Sequence, residues 1–145
     1  GGLTTQAMAM TLSPAEELGK LIFFDTNLSE PAGQACAGCH DPAAGFVDPD
    51  NDLPVSEGVV AGRFGTRNSP SAAYAVFFPV FKSNPPTGGQ FWDGRAPDLI
   101  EQAKGPFLNP VEMNNPDRAT VIAKIKASGY ADLFEQVFGP DAFLT

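Results

Sequence analysis

Along SPAEELGKLIFF, residues 13–24, apolar Leu18, Leu21 and Ile22 recur at the spacing of one helix face. Ahead of them stands a start signal. Ser13 is the cap, Pro14 takes the first helical position, and Glu16 lies three residues after the cap, the arrangement of a capping box. The pattern predicts a helix over about residues 14–23. Further on, APDLIEQAK puts Pro97 at a helix start, and NPDRATVIAKIKAS does the same with Asn115 as cap and Pro116 at the first position. YADLFEQVF follows and stops at Gly139 and Pro140. Between these regions, residues 41–90 hold DPAAGF, DPDNDLP, AGRFGTRNSP and SNPPTGG, with turn residues so dense that only short helical pieces fit. YAVFFPVF at 74–81 is broken by Pro79, and no alternating run predicts a strand. The expectation is an all-α domain with long loops, one unit over residues 1–145 with no internal repeat. A loop region of that length implies a ligand or cofactor that organises it.

Composition narrows the function classes. A chain of 145 residues, 43% hydrophobic with 12 Phe, has enough apolar material for one core, while 15 Gly and 14 Pro accord with extensive irregular structure. The net charge of −8 has the wrong sign for a nucleic-acid backbone or an anionic membrane surface, so neither is an expected partner. No run of 18 apolar residues is present, so no membrane span is expected. GGLTTQAMAM at the start lacks a signal peptide's regions, which leaves a mature chain or one trimmed before the numbering begins.

The chemistry is concentrated in GQACAGCHDPAAGF, residues 33–46, which holds both cysteines and the only histidine. In C-x-x-C-H the groups fall at i, i+3 and i+4, on one side of a helical turn. Two thiols can add to the two vinyl groups of a haem while the adjacent imidazole binds its iron, so Cys36, Cys39 and His40 read as attachment of one haem c. Structural zinc wants four ligands and would need carboxylates here. A thioredoxin-like pair wants a parallel-sheet context, and a Cys36–Cys39 disulfide is the plain alternative. Haem c is attached after export, which implies the periplasm. The iron's sixth position falls to Met8, Met10 or Met113, to water, or to nothing.

LGKLIFFDTNLSE, CAGCHDPAAGF, GTRNSPS, FWDGRAPDLIEQAKGP and NPVEMNN follow one another in the order of the amino-terminal haem domain of the bacterial di-haem cytochrome c peroxidase and MauG family, which the chain resembles over residues 18–139. The resemblance implies a cytochrome-c-like domain whose iron reacts with hydrogen peroxide, fed with electrons from a second haem in a following domain. It places Gln102 and Glu112 on the open distal side, Trp92 between the two haems, and Asn68 at an interdomain calcium site. Heterolysis of a bound peroxide needs a group that carries a proton from the inner to the outer oxygen, and a carboxyl raised by an apolar pocket suits it. Glu112 is the candidate; the alternative is a solvated loop carboxylate. Gln102 is either a distal hydrogen-bonding group or a polar helix face. Trp92 is either a relay or a core residue. Arg95 either pairs with a haem propionate or holds the turn by a salt bridge to Asp93 or Asp98.

The chain departs from the family pattern in two places. Many members carry a histidine upstream of RNSP that caps the resting iron; SEGVVAGRFGTRNSP offers Val59 and Val60 instead, as in the permanently open, MauG-like members. FGPDAFLT stops where relatives continue into a second CxxCH domain. The expected partners are therefore hydrogen peroxide, a second haem domain or chain, and a small electron-donor protein. VFKSNPPTGGQ, ahead of FWDGR, is either a contact loop or a surface excursion, and a domain without its neighbour should expose an apolar face. Three readings stand: a peroxidase-type or MauG-like oxidising domain, a monohaem electron carrier ligated by His40 and Met113, and a haem-binding sensor or subunit of a larger redox complex.

Overall fold

The computed structural model describes residues 11–50 and 52–144. Its first helix, Pro14–Phe24 (α1), starts as the capping box requires: the Glu16 N–H donates to Ser13 Oγ at 3.3 Å, and the Ser13 N–H donates to Glu16 Oε2 at 2.7 Å. Leu18 is buried on its inner face, and Ile22 packs against the core. Four helices follow: Cys36–Cys39 (α2), Leu99–Leu108 (α3), Arg118–Lys126 (α4) and Ala131–Phe138 (α5). α5 ends at Gly139, whose φ of 100° lies in the region only glycine enters readily, as the Gly-Pro pair predicts.

Two helix starts differ from expectation. α3 is capped by Asp98, whose carboxylate accepts from the Glu101 N–H at 2.9 Å; Pro97 lies before the cap, its carbonyl accepting from the Phe81 N–H at 2.9 Å. α4 is capped by Asp117, which accepts from the Thr120 N–H at 2.7 Å and the Thr120 hydroxyl at 2.8 Å. Asn115, expected as the cap, is instead buried, and its Nδ2 donates to Leu28 O at 2.7 Å and Phe107 O at 2.8 Å. A side chain that satisfies two interior carbonyls is better used there than at a solvated helix end.

The all-α expectation also needs amendment. Lys82–Ser83 (β1) and Pro86–Thr87 (β2) pair antiparallel in the register Lys82↔Thr87 and Ser83↔Pro86, so VFKSNPPTGGQ folds into a small exposed hairpin. The remainder of residues 41–90 is irregular apart from short turns at Pro42–Ala44 and Ala75–Phe77. Bridges at Asp41↔Val47 and Glu57↔Phe64, with Gln90↔Ala96 just beyond, pinch it into short loops. The result is helix-rich with a small two-stranded sheet. α1 packs on α2 and α5, and α4 packs on α5 and on the turn Thr26–Leu28. Leu28, Met113, Val121 and Ile125 form the core between them, with Cys36 against its edge.

Candidate functional site

α2 is a single turn, and the His40 N–H closes it by donating to Cys36 O at 3.0 Å. His40 itself leaves the helix, with φ −133° and ψ 61°, so the imidazole is aimed by a cap conformation rather than by helical spacing alone. Its Nδ1 lies 3.1 Å from Phe46 O. A carbonyl only accepts, so Nδ1 carries the proton and Nε2 is left with its lone pair, the tautomer that ligates a metal. Phe46 is held in place by its own N–H, which donates to Asp41 O at 2.7 Å.

Cys36 and Cys39 are free thiols, so the disulfide alternative is not formed. Burial pushes the Cys36 thiol up to about 11 and raises Cys39 as well, against the lowering effect of the Ser56 hydroxyl. Among the described residues no group of three or more His, Cys, Asp or Glu side chains could hold a metal ion. Two half-buried neutral thiols on one turn, beside an imidazole whose Nδ1 is occupied, form a donor set that fits covalent haem c.

Glu112 lies in the turn after α3. Asn109, the C-cap of α3, donates from Nδ2 to Glu112 Oε1 at 2.8 Å, while Asn109 Oδ1 accepts from the Val111 N–H at 3.2 Å. Burial raises the Glu112 carboxyl above the ordinary carboxylate range, outweighing the Asn109 bond and the positive fields of His40 and Arg95. In return, the charge of Glu112 contributes to raising both thiols. Cys36, Cys39, His40, Arg95 and Glu112 therefore share one electrostatic environment, and Glu112 is not a fully solvated loop carboxylate. Gln102 sits half-buried on α3, and no hydrogen bond joins its side chain to Glu112.

The FWDGR turn is built on ion pairs. Asp93 accepts from Arg67 Nη1 at 2.6 Å and Arg95 Nη1 at 2.8 Å, which holds its carboxyl down to about 2, chiefly through the Arg67 bond. The Arg95 guanidinium also lies 3.6 Å over the Phe91 ring centroid. Of its two readings, the salt bridge to Asp93 is formed. Trp92 is 63% exposed, so it is not a core residue; its Nε1 donates to Asn68 O at 2.7 Å. The structure thus brings Trp92 and Asn68 together, and Asn68 Nδ2 donates to Pro54 O at 3.3 Å. Met113 is 3% exposed in the core, and Met8 and Met10 lie outside the described residues.

Three supporting groups carry no signal in the sequence. Gln34 donates from Nε2 to Glu57 O at 2.9 Å and lies 3.5 Å from Cys39 Sγ. The Val59 N–H donates to Glu112 O at 2.9 Å, and Arg63 Nη1 reaches Pro110 O and Asn114 Oδ1. No spacing rule marks such residues, because each acts on a partner distant in the chain.

The sequence profile of the family described as di-haem cytochrome c peroxidase matches residues 13–145. The chain is 47% identical over 129 residues to the methylamine utilization protein MauG of Paracoccus denitrificans, covering 84% of this chain and 33% of that protein. It is 39% identical over 122 residues to a cytochrome c551 peroxidase of Pseudomonas aeruginosa, covering 84% of this chain and 32% of that protein. A crystal structure of the diheme peroxidase BthA from Burkholderia thailandensis superposes with a TM-score of 0.79 at 35% identity, over 94% of this chain and 37% of that one. The chain spans about a third of the length of the curated relatives it matches.

Proposed function

The chain belongs to the di-haem cytochrome c peroxidase family, and from that premise we propose that it is the peroxide-reactive haem domain of a periplasmic di-haem oxidoreductase. The observation that carries this reading is the half-buried Glu112, its carboxyl raised by burial and coupled electrostatically to Cys36, Cys39 and His40. Haem c supplies the redox-active iron at which hydrogen peroxide is reduced or put to use in oxidising another molecule. Cys36 and Cys39 would hold the group through thioether bonds, and His40 would ligate through Nε2, its Nδ1–H donating to Phe46 O and so strengthening the imidazole as a ligand.

Glu112 would take the proton from the inner oxygen of peroxide and return it to the outer one, with Asn109 steadying the carboxyl through its bond to Oε1. Gln102, half-buried on α3, would supply a hydrogen-bonding group to the peroxide substrate. Arg95 faces Glu112 with positive charge; a haem propionate would compete with Asp93 for it. Trp92, exposed and fixed by Asn68 O, would stand at the junction with the second haem domain, and Asn68 would be the candidate ligand of an interdomain calcium ion. Electrons arrive from a small donor protein through that second domain.

The core position of Met113 favours this reading over the electron carrier. Its side chain packs with Leu28, Val121 and Ile125, and its backbone is pinned by the Met113 N–H to Pro106 O bond at 3.1 Å and the Glu30 N–H to Met113 O bond at 2.8 Å. The optical spectrum of the ferric protein, before and after stoichiometric hydrogen peroxide, is the test. High-spin bands that change on addition are expected, with Glu112→Gln slowing the change by about 100-fold or more, the usual contribution of a positioned proton carrier. A low-spin spectrum with a sulfur-to-iron charge-transfer band, indifferent to peroxide, would establish methionine ligation and the electron-carrier reading.

A further inference from the structure

Residues 56–65 stand between the haem-attachment motif and Glu112. The Gly58 N–H to Arg63 O bond at 2.7 Å, the Gly65 N–H to Ser56 O bond at 2.9 Å and the Glu57↔Phe64 bridge fold them into a hairpin. The tip is closed by the Gly62 N–H, which donates to Glu57 Oε1 at 2.6 Å, and by the Arg63 N–H to Val60 O bond at 3.1 Å. One side of the hairpin rests on the motif, through Gln34 Nε2, which bonds Glu57 O at 2.9 Å and lies 3.5 Å from Cys39 Sγ. The other side rests on the Glu112 turn.

That second contact is close. The Val59 N–H donates to Glu112 O at 2.9 Å. A methyl group on Gly58 would lie 2.6 Å from the Val111 carbonyl carbon and 3.0 Å from Glu112 N, and would overlap Val111 O. Gly58 is not among the glycines of positive φ, so space rather than backbone freedom requires glycine here. Arg63 Nη1 donates to Pro110 O at 3.3 Å and Asn114 Oδ1 at 3.2 Å, and Asn114 Nδ2 ties the turn onward to Glu30 O at 2.7 Å.

We infer that the 56–65 hairpin is a strut that sets the position of the Glu112 carboxyl relative to Cys39 and His40, with Gly58 as its contact point and Arg63 as its outer tie. Gly58 and Arg63 are positioning residues: neither bonds the Glu112 carboxyl, and both act on the backbone that carries it. The inference rests on the proposed role of Glu112 as proton carrier. Val59, which with Val60 occupies the stretch where the resemblance expects a displaceable histidine, uses its backbone N–H to hold the Glu112 turn.

The test uses the haem-attached protein and its Gly58→Ala, Arg63→Met, Arg63→Lys and Glu112→Gln variants. Three quantities are read: covalent haem content by the pyridine haemochrome assay, amide hydrogen exchange over residues 109–114, and the saturating rate of the peroxide-dependent Soret change. With haem content unchanged, Gly58→Ala should slow that rate about 100-fold, the scale of a displacement near 1 Å, and should accelerate exchange at 109–114. Arg63→Met should slow it about tenfold, the effect of one lost hydrogen-bonding anchor. Arg63→Lys should largely restore it, because both bonds leave a single nitrogen. The half-saturating peroxide concentration should stay constant throughout.

If Glu112→Gln is slow while Gly58→Ala and Arg63→Met react like the wild type, the strut is refuted and the proposed function stands. If Glu112→Gln reacts normally, both fall together. Slow variants with unchanged exchange at 109–114 would also overturn the strut. Should Gly58→Ala fail to take up haem, the Arg63 pair decides: a slow Met variant rescued by Lys supports the inference, and equal rates reject it.

Discussion

The Tyr130 hydroxyl donates to Asp25 Oδ2 at 2.6 Å, tying the end of α1 to the turn before α5 across 105 residues of sequence. Burial alone would raise Asp25, but the bonds from Tyr130 and Asn27 outweigh it and hold the carboxyl below its ordinary value. Burial, then the bond and charge of Asp25, push the phenol above its ordinary range. The two shifts fix the signs. A lowered acid gives stability that is present above 3.8 and lost as pH falls through the folded value; a raised phenol gives stability that is present below 10.0 and lost as pH climbs past it. Tyr130→Phe should cost about 1 kcal/mol at neutral pH, discounted because the Tyr130–Asp25 bond is only partly buried. It should also flatten both the acid and the alkaline limbs of Tm against pH, and unchanged limbs would assign these shifts no role in stability. No part of this pair was legible in the sequence. Cys36, Cys39 and His40 were, because their chemistry lies within five consecutive positions; Glu112 was reached only through resemblance, since nothing local shows that a loop carboxylate is half-buried.

Among the helices, legibility depended on how many residues competed for one role. SPAEE offers one cap and one capping partner, and α1 starts as expected. In NNPD the cap expected at Asn115 falls to Asp117, because Leu28 O and Phe107 O are interior acceptors that need the Asn115 amide. Two substitutions separate these roles. Asp117→Ala removes a solvated cap and should cost about 1 kcal/mol. Asn115→Ala strands two interior carbonyls and should cost about 3 kcal/mol. Urea denaturation of both variants measures the difference, and the reverse order would return the cap to Asn115. The β1–β2 hairpin has no sequence signal for a different reason: a two-residue strand is too short to alternate. Residues 41–90 were legible as loop from their turn residues, yet the pairings that shape the loop, Glu57 with Phe64 above all, join residues that no local pattern connects.

At the scale of the whole molecule the apolar residues are unevenly placed. The core is built from aliphatic side chains and Met113, while Tyr74 and Phe77 are each 79% exposed and Val76, Phe78 and Val80 lie open beside them. The sequence showed this run and the Pro79 that breaks it, but periodicity cannot tell whether an apolar run faces a core or a partner. A patch of this kind marks a surface that something covers, and the proposed function supplies a second haem domain as the cover. By itself, then, the chain should self-associate through these rings. Phe77→Ser combined with Phe78→Ser should make it monomeric by sedimentation, with haem content and the peroxide-dependent spectral change unaltered, because neither ring belongs to the Leu28–Met113–Val121–Ile125 core or its edge. Loss of covalent haem in the double variant would overturn that assignment: the rings would then cover the macrocycle, and the face that receives the second domain would have to lie around Trp92 alone.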